Sequence, residues 1–190
     1  MSTQPLVVVV DDDSELLMAI IRVLRNQGYA LMQTSDPTEA LDWVGTKDVA
    51  VLVSDFEMPK MTGVELTAAA RMVRPETVRV LMTGRQTLDT AVAGINQGEI
   101  FRYIQKPFEP MVLRDTVREA VARHKELVTT AADRARAQRR ERIASELDNE
   151  YPHITHVDRD PDGVYVVPPT MAAAVSGVGI DAIVLLGRRP

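Results

Sequence analysis

Leu6-Val7-Val8-Val9-Val10-Asp11-Asp12-Asp13 sets five aliphatic residues directly before three acids. An uninterrupted β-branched and aliphatic run of this kind reads as a strand buried on both faces, as in a parallel sheet covered by helices. Like charges crowded at the end of such a strand repel one another unless a cation or a proton neutralises them. Asp11, Asp12 and Asp13 are therefore a candidate hard-metal site, and oxygen ligands of this type suit Mg²⁺. Capping is the plainer reading of the same residues: Asp13 or Ser14 suits the N-cap of a helix carrying Leu16, Leu17, Ile20, Ile21 and Leu24.

Three further strand-like runs end in polar residues. Val49-Ala-Val-Leu-Val53 leads through Ser54 into Asp55, and Val78-Arg-Val-Leu-Met82 leads into Thr83 and Gly84. Ile100-Phe-Arg-Tyr-Ile104 is followed by Lys106 and Pro107. In an open parallel α/β sheet the ligand crevice lies outside the carboxyl ends of the strands, where strand order reverses. The run-ends then converge on carboxylates, a hydroxyl and an ammonium. Phosphoryl transfer to a carboxylate needs such a set: a nucleophile, a metal to neutralise phosphate charge, and donors for the remaining oxygens. Tyr103 taken alone reads as strand packing, core or half-buried.

Strands and helices alternate. After the first helix come the strand Ala30–Thr34 and a helix capped at Asp36 with Pro37 at its first position. Helices follow over Glu65–Val73, stopped by Pro75, over Leu88–Asn96, ending near Gly98, and from Pro110 to Lys125. Five βα units make a right-handed, doubly wound sheet the economical topology.

Over roughly residues 5–125 the chain resembles the receiver domain of two-component response regulators. The motifs that carry the resemblance are Val10-Asp11-Asp12-Asp13, Ser54-Asp55-Phe-Glu-Met58-Pro59-Lys-Met-Thr-Gly63, Leu81-Met-Thr83-Gly84 and Tyr103-Ile-Gln-Lys106-Pro107-Phe108. The resemblance implies a flavodoxin-like sheet of five parallel strands in the order 2-1-3-4-5. It makes Asp55 the phosphoacceptor and gives Mg²⁺ to Asp11, Asp12, Asp55 and the backbone carbonyl of Glu57. Thr83, Gly84 and Lys106 would serve the phosphoryl oxygens. Thr83 and Tyr103 would form the switch, acting on the face made by the fourth helix, fifth strand and fifth helix of the pattern. Glu57 and Arg85 would gate dephosphorylation. The implied donor is a histidine kinase or a phosphotransfer protein, and the chain would catalyse only its own phosphotransfer and dephosphorylation. Asn96-Gln-Gly-Glu-Ile100 replaces the family's usual alanine-glycine-alanine turn and does not identify an output. A competing reading is a phosphohydrolase of the haloacid-dehalogenase type with Asp11 as nucleophile. That reading leaves Asp55 and Met58-Pro59 unused and finds no second acidic pair after Lys106.

The 190 residues hold one ordinary domain and about 65 more. The expected organisation is a receiver over 1–125, a helical extension over 126–150 and a small segment over 151–190. The absence of cysteine and the plain Met-Ser-Thr-Gln-Pro start fit a cytoplasmic protein without a signal peptide. A net charge of −5 gives no reason to expect nucleic-acid binding. Residues 126–149 lack Pro and Gly and read as a solvated rod continuing the fifth helix. Arg134, Arg136, Arg139, Arg140 and Arg142 read as part of its solvated face. A homodimer through this rod is open, although heptads fail between Thr129 and Arg142. Tyr151–Val157 and Val164–Val167 alternate like strands around Asp158-Arg-Asp-Pro-Asp-Gly163, a hairpin signal. These six residues imitate half a calcium loop, but its twelfth position is Pro169. His153 and His156 fall on opposite faces of such a strand and make poor partners for one metal. Met171–Gly187 is apolar but too short, and interrupted by Asp181, for a comfortable membrane span.

Overall fold

The computed structural model describes residues 4–84 and 100–150, with the backbone of 158–159 and 165–166. The chain divides into two compact units, Met1–Ala131 and Ala132–Pro190. In the first, β1 (Leu6–Val10), β2 (Ala30–Thr34), β3 (Val49–Asp55), β4 (Val78–Thr83) and β5 (Arg102–Gln105) form one sheet in the order β2-β1-β3-β4-β5. All of its pairings are parallel. This is the flavodoxin-like order expected from the sequence.

The helices of the described residues are α1 (Ser14–Leu24), α2 (Pro37–Thr46), α3 (Gly63–Val73) and α4 (Pro110–Glu150). The helix expected over Leu88–Asn96 lies outside the described residues, so the expected fifth helix is α4 here. Strand alternation divides the core between the two faces of the sheet. Val7, Val9, Val53, Val80, Met82 and Ile104 pack with Leu17, Ile20 and Leu24 of α1 and Leu113, Val117 and Val121 of α4. Val8, Val10 and Leu52 pack on the other face with Ala40 and Val44 of α2 and Leu66 and Ala70 of α3. Burial on both faces is why β1 and β3 are continuous apolar runs rather than alternating ones.

Local chemistry fixes the helix starts. Asp13, not Ser14, caps α1: its side chain accepts from the Glu15 and Leu16 N–H groups at 2.8 and 3.1 Å. Asp36 caps α2 with Pro37 in the first turn. The third helix starts two residues before the expected Glu65, because Thr62 and Glu65 close a reciprocal capping box. The last strand is Arg102–Gln105, shifted towards Lys106 from the expected Ile100–Ile104.

The second unit holds the end of α4, a single 41-residue helix. It also holds an antiparallel pair, β6 (Asp158–Arg159) with β7 (Tyr165–Val166). Asp158 and Arg159, expected in the turn, thus pair as strand, with Arg159 opposite Tyr165. The expected first strand, Tyr151–Val157, lies outside the described residues, as do His153, His156 and the apolar Met171–Gly187.

Candidate functional site

The order of the strands puts the topological switch between β1 and β3, and both end in carboxylates. Asp11 follows β1 and Asp55 closes β3. With Asp12 they offer carboxylate oxygens lying within 4.8 Å of one another. From the far side of the sheet, Lys106 reaches in just after β5. Its Nζ lies 2.7 Å from Asp11 Oδ2 and 2.6 Å from Asp55 Oδ1. Its backbone N–H donates to the Thr83 carbonyl at 2.7 Å, which ties the Lys106-Pro107 turn, a cis peptide, to the end of β4.

The two carboxylates differ in access. The Asp11 side chain is 1% exposed, and both of its oxygens are engaged, one by Lys106 and one by the Asp13 N–H at 3.0 Å. The Asp55 side chain keeps 11% of its surface open. Burial pushes the Asp11 pKa above the ordinary carboxylate value, against the hydrogen bonds from Lys106 and the Asp13 amide. Burial also pulls Lys106 down, but the hydrogen bonds and charges of Asp11 and Asp55 outweigh it and hold the ammonium above its ordinary value.

Three carboxylates against one ammonium leave an excess of two negative charges, and every available donor is a hard oxygen. Lys106 already sits as a cation between two of them. Donor type and charge balance therefore both fit a divalent hard metal such as Mg²⁺.

Thr83, at the end of β4, is fully buried, and its hydroxyl donates to the Gly84 carbonyl at 3.2 Å. Tyr103, opposite Leu81 in the β4–β5 register, is half-buried, and burial raises its phenol pKa. Glu57 lies in the loop after β3. Arg85 lies outside the described residues.

Several contributors were not read from the sequence in these roles. Ser54 donates its hydroxyl to the Asp55 carbonyl at 2.9 Å. Gly63 donates its N–H to the Phe56 carbonyl at 2.9 Å, and a Cβ on it would stand 1.9 Å from the Asp55 carbonyl oxygen. The first helix residue of α3 thus lies directly against the peptide of Asp55. The Thr62-x-x-Glu65 pattern beside it was a legible signal of a helix start there. Beside Lys106, a hollow of about 380 Å³ is lined by Leu16, Lys106, Pro107 and Phe108.

Comparison with known proteins agrees with this geometry. The response regulator receiver domain matches residues 7–118, more than half of the chain. The hydrogenase transcriptional regulatory protein HoxA of Cupriavidus necator is 36% identical over 118 residues, which are 62% of this chain and 24% of that protein. The transcriptional regulatory protein PrrA of Mycobacterium tuberculosis is 30% identical over 131 residues, 69% of this chain and 56% of that one. The chain thus spans about a quarter of the length of relatives such as HoxA. Among solved structures, a response regulator receiver domain protein from Clostridium thermocellum superposes with a TM-score of 0.59 at 27% identity, covering 65% of this chain and 98% of that one. The hydrolase alternative, with Asp11 as nucleophile, finds no support, since the match falls on another family. With strand order, acidic centre, bridging lysine and sequence match in agreement, the chain belongs to the response regulator receiver domain family of two-component signalling.

Proposed function

We propose that this chain takes a phosphoryl group onto Asp55 from a phosphohistidine of a histidine kinase or phosphotransfer protein. The observation that carries this reading is the Lys106 ammonium bridging Asp11 and Asp55, of which Asp55 is the less buried. An Asp55 carboxylate oxygen attacks phosphorus as the phosphorus–nitrogen bond breaks, and the departing imidazole keeps that electron pair and takes up a proton. Asp11, Asp12, Asp55 and the Glu57 backbone carbonyl would hold Mg²⁺, which when bound supplies positive charge to the phosphoryl oxygens. Lys106 holds one of those oxygens and Thr83 a second, while Gly84, lacking a side chain, leaves room for the group. Such catalysis is positioning and charge stabilisation.

The product adds roughly one charge to Asp55, since a phosphoryl group carries about −1.5 to −2. Thr83 turns its hydroxyl from the Gly84 carbonyl to the new oxygens, and half-buried Tyr103 moves into the space vacated. This shifts a two-state equilibrium of the face that includes β5 and α4. The apolar hollow beside Lys106 offers the donor protein a seat within reach of Asp55. Glu57 and Arg85, two positions beyond Asp55 and Thr83 in the sequence, would slow the loss of the acyl phosphate to water.

The signal leaves the receiver (1–125) through the helical extension (126–150) to the segment 151–190, within the cytoplasm. No helix among the described residues is long and apolar enough to cross a membrane. Incubation with acetyl phosphate and Mg²⁺, followed by borohydride trapping, is expected to label Asp55 in the native chain. Trapping at Asp11, or equal uptake by Asp55→Asn, would overturn the assignment.

A further inference from the structure

In the last turns of α4, two large apolar side chains stay open to solvent: Ile143 is 43% and Leu147 39% exposed. Their spacing of four, with Arg140 three residues before and Glu150 three residues after, puts Arg140, Ile143, Leu147 and Glu150 on one stripe of the helix. The stripe is basic at its start, apolar at its centre and acidic at its end. Arg139 and Glu146 flank it on one side and Ala144 on the other.

We infer that this segment, Arg139 to Glu150, pairs with the same segment of a second copy of the chain in antiparallel orientation. When two such helices run in opposite directions, the two stripe positions alternate across the seam. Ile143 then meets Leu147 of the second copy, and Arg140 meets its Glu150. Two-fold symmetry makes each contact twice. On one flank the Glu146 side chains of the two copies lie across from each other, each with Arg142 of its own helix 3.7 Å away. On the other, Ala144 faces Ala144, and this small pair lets the backbones approach. A parallel pairing sets Arg140 against Arg140 and Glu150 against Glu150, so charge selects the antiparallel arrangement.

The seam is about 18 Å long, so the association is a modest one, and the dimer fraction rises with concentration. Sedimentation of the full chain is expected to show a monomer–dimer equilibrium. Arg140→Glu should weaken it about tenfold by turning two attractions into repulsions, and Arg140→Glu combined with Glu150→Arg should restore it. The chain has no cysteine, so Ala144→Cys introduces a single thiol. Under mild oxidation that variant should cross-link to itself, whereas Ile143→Cys, whose counterpart across an antiparallel seam is Leu147, should not. A chain that stays monomeric, a dimer indifferent to Arg140→Glu, failure of the double variant to recover, or readier cross-linking of the Ile143→Cys variant than of Ala144→Cys would overturn the inference.

Discussion

Replacing Gly63 by alanine should damage this protein in a way that the same change at Gly28 or Gly45 does not. The added Cβ would lie 1.9 Å from the Asp55 carbonyl oxygen, 2.9 Å from its carbonyl carbon and 2.8 Å from Leu81 Cδ2. Two of these three neighbours are backbone, so no rotamer relieves the clash, and either the start of α3 or the end of β3 must move by about an ångström. Overpacking of this kind costs about 3 kcal/mol, the upper end of its usual range. A displaced nucleophile adds a kinetic penalty of about a hundredfold for a misplacement of that size. Two other glycines serve as controls. Gly28→Ala has open space around it but a φ of +81°, so it should lose only the left-handed strain, about 1 kcal/mol. Gly45→Ala, in α2 with Val73 Cγ1 at an ordinary 3.6 Å, should gain about 0.5 to 1 kcal/mol in helix propensity. Urea unfolding ranks the three, and labelling by acetyl phosphate reads the kinetic part. A Gly63→Ala protein no less stable than Gly28→Ala, or one that takes up phosphate at the native rate, would refute this account of the α3 start.

Asp11 carries a pH-dependent prediction. A carboxylate whose folded pKa lies above its unfolded one favours folding most below the unfolded value, and loses that contribution as pH rises through the folded value. Near neutral pH without metal, Asp11 therefore costs stability, and Asp11→Asn should raise the melting temperature of the metal-free protein. The same variant should lose the added stability from Mg²⁺, about 2.7 kcal/mol at a hundredfold excess over Kd, as read by melts with and without the ion. Mg²⁺ affinity of the native chain should fall with falling pH sooner than an unperturbed carboxylate dictates, which titration calorimetry at a series of pH values checks. Lys106→Ala should destabilise the metal-free protein by about 1 to 3 kcal/mol, with Mg²⁺ restoring much of it; equal losses with and without the ion would refute that. Arg85→Ala should hasten loss of phosphate from Asp55 by up to about fivefold, the equivalent of about 1 kcal/mol, and unchanged decay timed at two salt concentrations would refute it.

Much of this architecture was legible because chemistry and periodicity agreed. Val7–Val10 and Val51–Val53 could be read as doubly buried strands, and their acidic ends located the site before any coordinate. Pro37 and Asp36 marked α2, and the chain from Pro110 onward, free of helix breakers, extends as one helix to Glu150. Other features depend on tertiary contacts that no pattern encodes. Lys106 and Asp11 are 95 residues apart, and that both oxygens of Asp11 are engaged follows only from the folded geometry. Gly63 entered the sequence reading only as the last residue of a motif, because its real constraint is the peptide of Asp55 across the loop. The short β6–β7 ladder begins at Asp158, inside a stretch rich in turn formers, where cross-strand pairing overrode local preference.

The ammonium of Lys106 has a consequence for how the protein meets a changing ionic environment. Because the fold carries its own counter-ion between Asp11 and Asp55, the metal-free pocket is not a bare cluster of repelling charges, and collapse of the domain does not wait on an ion from outside. Folding and metal loading become separate events. A newly made chain can mature in magnesium-poor surroundings and still be ready to respond. Fluctuations in free magnesium then modulate how fast it can be charged, rather than how much of it survives.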